Sequence, residues 1–248
     1  MKITFWLLDL NYAVENDAPE VWIWGVAASG ERVVIVDKSL IAYFYAVIEE
    51  TADPEAVVEA IGSKRFSNIS KLEVVDRKFF GKSLKAVKVY CTTPEMMSEY
   101  AKALRKLEGV KDCLEDDIRF AMRYLVDNNV VPCSWHEVEV AEQNPRNDVC
   151  VDKMYLAKSV PKPIEKAEAP ALRVLGFSSI YYSKEGSPKP DRNPVVIIST
   201  TTNKGEKKQF VADDDRKDMP ILNAFVAYVQ GFDPDIVVGY GNNNLDWS

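Results

Sequence analysis

The amino-acid sequence predicts two domains: an α+β domain built on a mixed sheet with helices and, behind a linker, a partial α/β domain. Three observations lead there. Short β-branched runs alternate with helix-spaced segments over roughly the first half of the chain. The proline-, lysine- and glutamate-rich stretch from Pro161 to Pro170 cannot bury a core and reads as a connection. Beyond it, strand runs are followed by one helix and a further strand. At 248 residues and 47% hydrophobic, the chain is long enough for two such cores.

The elements follow in order. Apolar and β-branched residues fill 3 to 10, 20 to 28 and 32 to 36, with turn signals at Glu15-Asn16-Asp17 and Ser29-Gly30, which predicts a meander of short strands. Asp53-Pro54 opens a helix through Ile61 that stops at Gly62, where cap, early proline and terminal glycine agree. Strands follow at 71 to 76 and 84 to 91. Thr93-Pro94-Glu95 begins a second helix, with Met97, Ala101 and Leu104 at helical spacing, that ends near Gly109. A third helix, Asp117 to Asp127, places Ile118, Ala121, Met122 and Leu125 on one face. This first domain, 1–134, closes there. Residues 135–170 read as a hairpin, Trp135 to Val140 with Met154 to Ala157 around the polar loop Gln143 to Asp148, and then the linker. Residues 171–248 hold strands at Leu172 to Tyr181, Pro194 to Thr202 and Gln209 to Val211, a helix from Pro220 to Gln230, and a strand at Ile236 to Tyr240. That order fits the opening of a ribonuclease-H-like α/β domain.

Composition narrows the function. No apolar run approaches bilayer length, and MKITFWLLDLNY is too polar too early for a signal peptide, so a cytoplasmic protein without a membrane partner is expected. Four widely spaced cysteines and a single histidine argue against structural zinc and for free thiols. A net charge of -7 argues against a surface coated for nucleic acid, yet RKFFGKSLKAVK, residues 77–88, holds five cations and no carboxylate. Arg77, Lys78, Lys82, Lys85 and Lys88 are therefore candidate phosphate contacts, with Tyr43, Phe79 or Phe80 for stacking. The alternative is an ordinary solvated strand pair.

Three segments carry a resemblance. Asp117-Ile118-Arg119-Phe120-Ala121-Met122-Arg123-Tyr124-Leu125-Val126-Asp127 resembles the helix that ends the N-terminal domain of archaeal family B DNA polymerases. Asp233-Pro234-Asp235-Ile236-Val237-Val238-Gly239-Tyr240, continuing to Leu245-Asp246, is similar to the second motif of their 3′→5′ exonuclease. Leu172 to Phe177 and Asn193 to Ser199 resemble the strands on either side of its first motif. Met1 to Tyr12, Ala42-Tyr43 and Phe80-Gly81-Lys82 match more weakly.

The resemblance implies an N-terminal polymerase domain followed by part of an exonuclease domain. It also implies a site that is missing its chemistry. The family's first motif supplies an Asp and a Glu two residues apart on one strand face, ligands for the two divalent ions that such phosphoryl chemistry needs. Here Ser178 and Ile180 stand at those positions, and no acidic residue lies between Glu168 and Glu185. Asp246 alone keeps its motif role, and Gly241 replaces a usual Asn. No cofactor is expected for this chain; magnesium belongs only to an intact parent polymerase, whose third exonuclease motif and polymerase aspartates would lie past Ser248. The resemblance further implies the template-uracil pocket of archaeal enzymes, carried onto Tyr12, Ala42, Tyr43, Pro94, Met97, Ile118, Arg119 and Phe120, with Arg123 in support. Two departures are Ala42 and Arg119, where proline is usual, and a third is Met97, whose side chain is longer than usual there and would fill the slot. The expected partners are single-stranded or primer-template DNA and the remaining polymerase domains or replication proteins. The competing reading is an inactivated relative that serves as a protein-interaction scaffold, which the acidic net charge suits.

Overall fold

A computed structural model describes the chain except residues 17, 65, 147, 167, 185, 190, 191, 214–216 and 241–248. It forms two units, Met1–Pro170 and Ala171–Ser248. The first contains β1 (Lys2–Glu15), β2 (Ala18–Ala27), β3 (Arg32–Asp37), β4 (Ala42–Ile48), α1 (Pro54–Ser63), β5 (Ile69–Phe79), β6 (Lys82–Cys91), a 3-10 turn (Pro94–Met96), α2 (Met97–Leu104), β7 (Val110–Leu114), α3 (Phe120–Asn128), β8 (Trp135–Gln143), β9 (Lys153–Ala157) and β10 (Lys162–Pro163). The second contains β11 (Val174–Tyr181), β12 (Val195–Thr202), β13 (Lys207–Val211), α4 (Met219–Phe232) and β14 (Ile236–Val238).

In the first unit one sheet has the order β1-β2-β3-β9-β8-β10, with β1 also paired to β8. Its strands β2 and β3 are apolar on both faces. Val21, Ile23, Val33 and Ile35 join the main core with Phe5 and Leu7, while Trp22, Val34 and Val36 pack against Met154, Val149 and Val151 on the other side. Two covered faces explain the unbroken runs VWIW and VVIV, which alternate for neither side.

The second sheet has the order β5-β6-β4-β7, all antiparallel, and with α1 and α2 gives the chain order β-α-β-β-α-β. This is the split-βαβ arrangement. Val57 and Ile61 of α1 and Tyr100 and Leu104 of α2 pack into one core with Phe44, Ala46, Ile48, Val87, Val89 and Cys91. Both helices therefore cover the same face of the sheet.

Several expectations change here. Residues 135–157 form the expected antiparallel pair, β8 with β9, but ladders to β1 and β3 build that pair into the first sheet, so the first unit runs past 134 to Pro170. Helix α1 continues through Gly62 to Ser63, and α2 ends at Leu104, five residues before Gly109. Helix α3 starts three residues late because Arg119 is extended (ψ 136°), and it buries Phe120, Arg123 and Tyr124 rather than Ala121 and Met122. Among the described residues no helix is long and apolar enough to cross a membrane. All four cysteines are free: Cys91 and Cys113 are buried, which pushes both thiols up to about 12, and Cys133 and Cys150 are exposed.

The single histidine is structural. His136 is fully buried beside Phe5, its Nε2 accepting from the Val131 N–H at 3.2 Å and its Nδ1 lying 3.1 Å from the Ser134 carbonyl oxygen. Burial lowers its pKa, opposed by the Ser134 carbonyl. The folded chain thus resists a proton that the unfolded histidine takes near pH 6.5, so this part of the stability is complete above that pH and drains away below it. Urea midpoints are expected to fall between pH 7.5 and pH 5, and to fall less in His136→Gln; equal slopes in both proteins would contradict this role.

Candidate functional site

Strand alternation gives the second sheet of the first unit a second face opposite α1 and α2, on which α3 places Arg123 and Asp127. Ala42, Phe44 and Ala46 turn to the core, so Tyr43, Tyr45 and Val47 turn outward; on β6, Ala86, Lys88 and Tyr90 do the same. The register sets Tyr43 opposite Tyr90 and Tyr45 opposite Lys88, then Lys88 opposite Glu73 and Tyr90 opposite Lys71. Tyrosines and cations therefore interleave across three strands.

The cations lie on the rings. Lys88 Nζ sits 3.6 Å from the Tyr43 centroid and 4.8 Å from that of Tyr90, and the Arg123 guanidinium is 4.0 Å from Tyr43. Arg77 lies 5.0 Å over Tyr45, with Nη2 donating to its hydroxyl at 2.9 Å. Such cation–π contacts grow stronger as they lose water. Burial lowers the Lys88 pKa and raises that of Tyr43, whose hydroxyl donates to Asp127 Oδ2 at 2.6 Å. Because Tyr43 is only 7% exposed beneath these cations, it forms the floor of the face and presents no free ring for stacking.

Acidic partners divide the five predicted phosphate contacts. Lys85 pairs with Asp76 at 3.6 Å, while Arg77 and Lys88 are held over tyrosines. Lys78 and Lys82, near the hairpin tip, have no carboxylate partner among the described residues. Arg123 is buried, bonded to Glu115 Oε2 at 3.0 Å and to the Glu115 carbonyl at 2.9 Å. The sequence reading missed Tyr45, Lys71, Glu73 and Tyr90; the alternation of β6 was the available signal, and it becomes useful only once β4 is recognised as its neighbour.

The residues assigned to a base pocket are only partly brought together. Ala42, Met97 and Phe120 share the main core, and Pro94 is also buried. Tyr12 packs against that core, its ring edge-on to Phe120 at 5.3 Å and its hydroxyl donating to Glu95 Oε1 at 3.2 Å; burial first, then Glu95, raises its pKa. Tyr43 points to the opposite face of β4 from Ala42, and touches Arg123 instead. Ile118 is half-buried and Arg119 exposed, ahead of α3. Met97 is 3% exposed, so its side chain fills the seam.

In the second unit the sheet order is β13-β12-β11-β14, with β14 parallel to β11 and the others antiparallel. Phe177 and Ile198 pack beneath Ile221 and Phe225 of α4, so Ser178 and Ile180 lie on the other face. Ile180 is 55% exposed. Ser178 pairs with Ser199, which pairs with Gln209, and Gln209 Nε2 donates to Ser199 Oγ at 3.0 Å. This part of the face offers hydroxyls, an amide and an alkyl group, which do not fit a divalent-ion site. Among the described residues no group of three or more His, Cys, Asp or Glu is placed to hold a metal. Asp246 and Gly241 lie outside the described residues. Asp233 and Asp235, ahead of that segment, have local work: Asp235 Oδ2 accepts the Arg173 N–H at 2.7 Å, and the Arg173 guanidinium bridges Asp233 at 3.0 Å and Asp235 at 3.6 Å. They fasten β14 beside β11.

Comparison with known proteins places the chain beside DNA polymerases. Residues 111–216 match the exonuclease domain of DNA polymerase family B. DNA polymerase 2 of Aeropyrum pernix is 34% identical over 99% of this chain, and DNA polymerase 3 of Saccharolobus solfataricus is 30% identical over 98%. The structure of the family B DNA polymerase from the hyperthermophilic archaeon Pyrobaculum calidifontis matches with a TM-score of 0.84 at 36% identity, covering 98% of this chain. In all three the match takes in 31% of the relative, so the chain spans less than a third of their length. Over almost its whole length, this chain is a homologue of the archaeal family B DNA polymerases.

Proposed function

We propose that the chain acts as the N-terminal part of a family B DNA polymerase in replication or repair, holding single-stranded template through its first unit while its ribonuclease-H-like second unit does not cut. The observation that carries this reading is the pair Ser178 and Ile180, side by side on the uncovered face of β11 where the resemblance expects two carboxylate ligands. Without anionic oxygens there, the two-ion route to phosphodiester hydrolysis has no holder. Strand binding is supported by the cation-covered tyrosines of the β5-β6-β4 face. Capture of uracil at the Tyr12–Phe120 seam is left out of this reading because Met97 occupies it. The acid surplus and the paired cations favour a second reading, a protein-interaction scaffold among replication proteins.

A labelled single-stranded oligonucleotide separates the two. Template binding predicts an affinity that falls steeply with salt, with a log–log slope of about −3 for four to five neutralised phosphates. A scaffold predicts no binding at low salt. With magnesium or manganese the strand is expected to stay intact; digestion that Asp246→Ala abolishes would overturn the claim that the second unit is inactive.

A further inference from the structure

The β5–β6 hairpin outruns the sheet that supports it. Strand β4 pairs with β6 only over Ala86 to Cys91, whereas β5 and β6 stay paired to Phe79 and Lys82 at the tip. The two turn residues, Phe80 and Gly81, both have positive φ, 47° and 81°. A two-residue turn of this hand suits Asn, Asp or Gly at its first position. A phenylalanine there sits in a left-handed conformation that its Cβ disfavours. Nothing in the fold compensates by burying it: the side chain is 91% exposed, and its ring contact is Phe79, 4.5 Å away and itself 47% exposed. Flanking this pair, Lys78 on β5 and Lys82 on β6 are the cations of the hairpin that no carboxylate or tyrosine among the described residues holds.

A strained, outward-facing aromatic and two unpaired cations on either side of it match one kind of partner, a flexible polyanion with exposed rings. We propose that the hairpin tip is a base-stacking finger for single-stranded DNA, in which Phe80 covers the face of an unpaired base and Lys78 and Lys82 take neighbouring phosphates. Phenylalanine has no hydrogen-bonding group, so the contact accepts any base. The proposal rests on the single-strand-binding reading above and assigns its point of contact.

The test uses the 248-residue chain and a thymine oligonucleotide carrying one 2-aminopurine, whose fluorescence reports stacking. Phe80→Asn, which suits the turn, is expected to weaken binding at least about fivefold, the lower end for loss of one stacked base. It should also remove the 2-aminopurine response while leaving the thermal midpoint unchanged or higher. Phe80→Trp should keep both affinity and response. The double variant Lys78→Gln/Lys82→Gln should flatten the salt slope by about 1.4, about 0.7 for each phosphate that is no longer neutralised. If Phe80→Asn binds like the wild type with its response intact, the finger is refuted and the template-binding reading stands. If the wild type does not bind at low salt, both fall. If binding is lost in Phe80→Asn together with thermal stability, and Phe80→Trp does not restore it, the residue is structural and the proposal is overturned.

Discussion

Phe44→Ala is expected to destabilise the first unit by about 3–5 kcal/mol, the usual cost of truncating a buried phenylalanine. Phe44 is 0% exposed at the middle of β4, the strand whose opposite face carries Tyr43 and Tyr45. The cavity would lie between the sheet and its two helices, where neither layer can close over it without shifting the β4–β6 register. Because outward residues are positioned by the inward ones, affinity for single strand should be lost in parallel. Urea unfolding followed by far-ultraviolet circular dichroism gives the first number and the oligonucleotide titration the second. A loss below about 1 kcal/mol would mean that the core repacks around the gap, contrary to the rigid packing of protein interiors.

Gly25→Ala is expected to cost nearly as much, about 3 kcal/mol, at the upper end of overpacking effects. A Cβ at Gly25 would meet the Trp6 carbonyl oxygen at 2.4 Å and the Phe5 ring at 2.8 Å. The first of these is backbone and cannot rotate away, and it lies next to the irregularity between Leu7 and Asp9 where β1 changes its register against β2. Gly62→Ala makes a control of opposite sign. It lies within α1 with nothing inside 4 Å of its Cβ position, so alanine there should stabilise the helix by about 0.5–1 kcal/mol. The same unfolding measurement reads both, and the interpretation fails if the two alanines behave alike.

Much of this architecture was legible in the sequence, and the exceptions have physical causes. Strands β2, β3, β11 and β12 announce themselves through β-branched runs bounded by turns. Strand β4, AYFYAVI, does not, because it is buried on both faces and shows neither the two-residue nor the helical period. Strand β7 is too short and too polar, with Lys111 and Asp112 exposed. At α3 the apolar spacing of Ile118, Ala121 and Leu125 imitated a longer helix, and only the extended backbone of Arg119 breaks it. The cation run was plain to see; its partners were less so. Asp76 faces Lys85 across the β5–β6 ladder, and Asp127 reaches Tyr43 from a helix 84 residues away in the chain, relations that composition does not encode. That Ser178 and Ile180 are not acidic, by contrast, is read directly from the sequence.

The row Ser178, Ser199 and Gln209 has one more implication. Clustered carboxylates repel one another until a counterion arrives, so a strand that carries them keeps its shape only with borrowed positive charge. Here the row carries no carboxylate, and Gln209 Nε2 donates to Ser199 Oγ beside Ser178, so these three side chains hold their places without a bound cation.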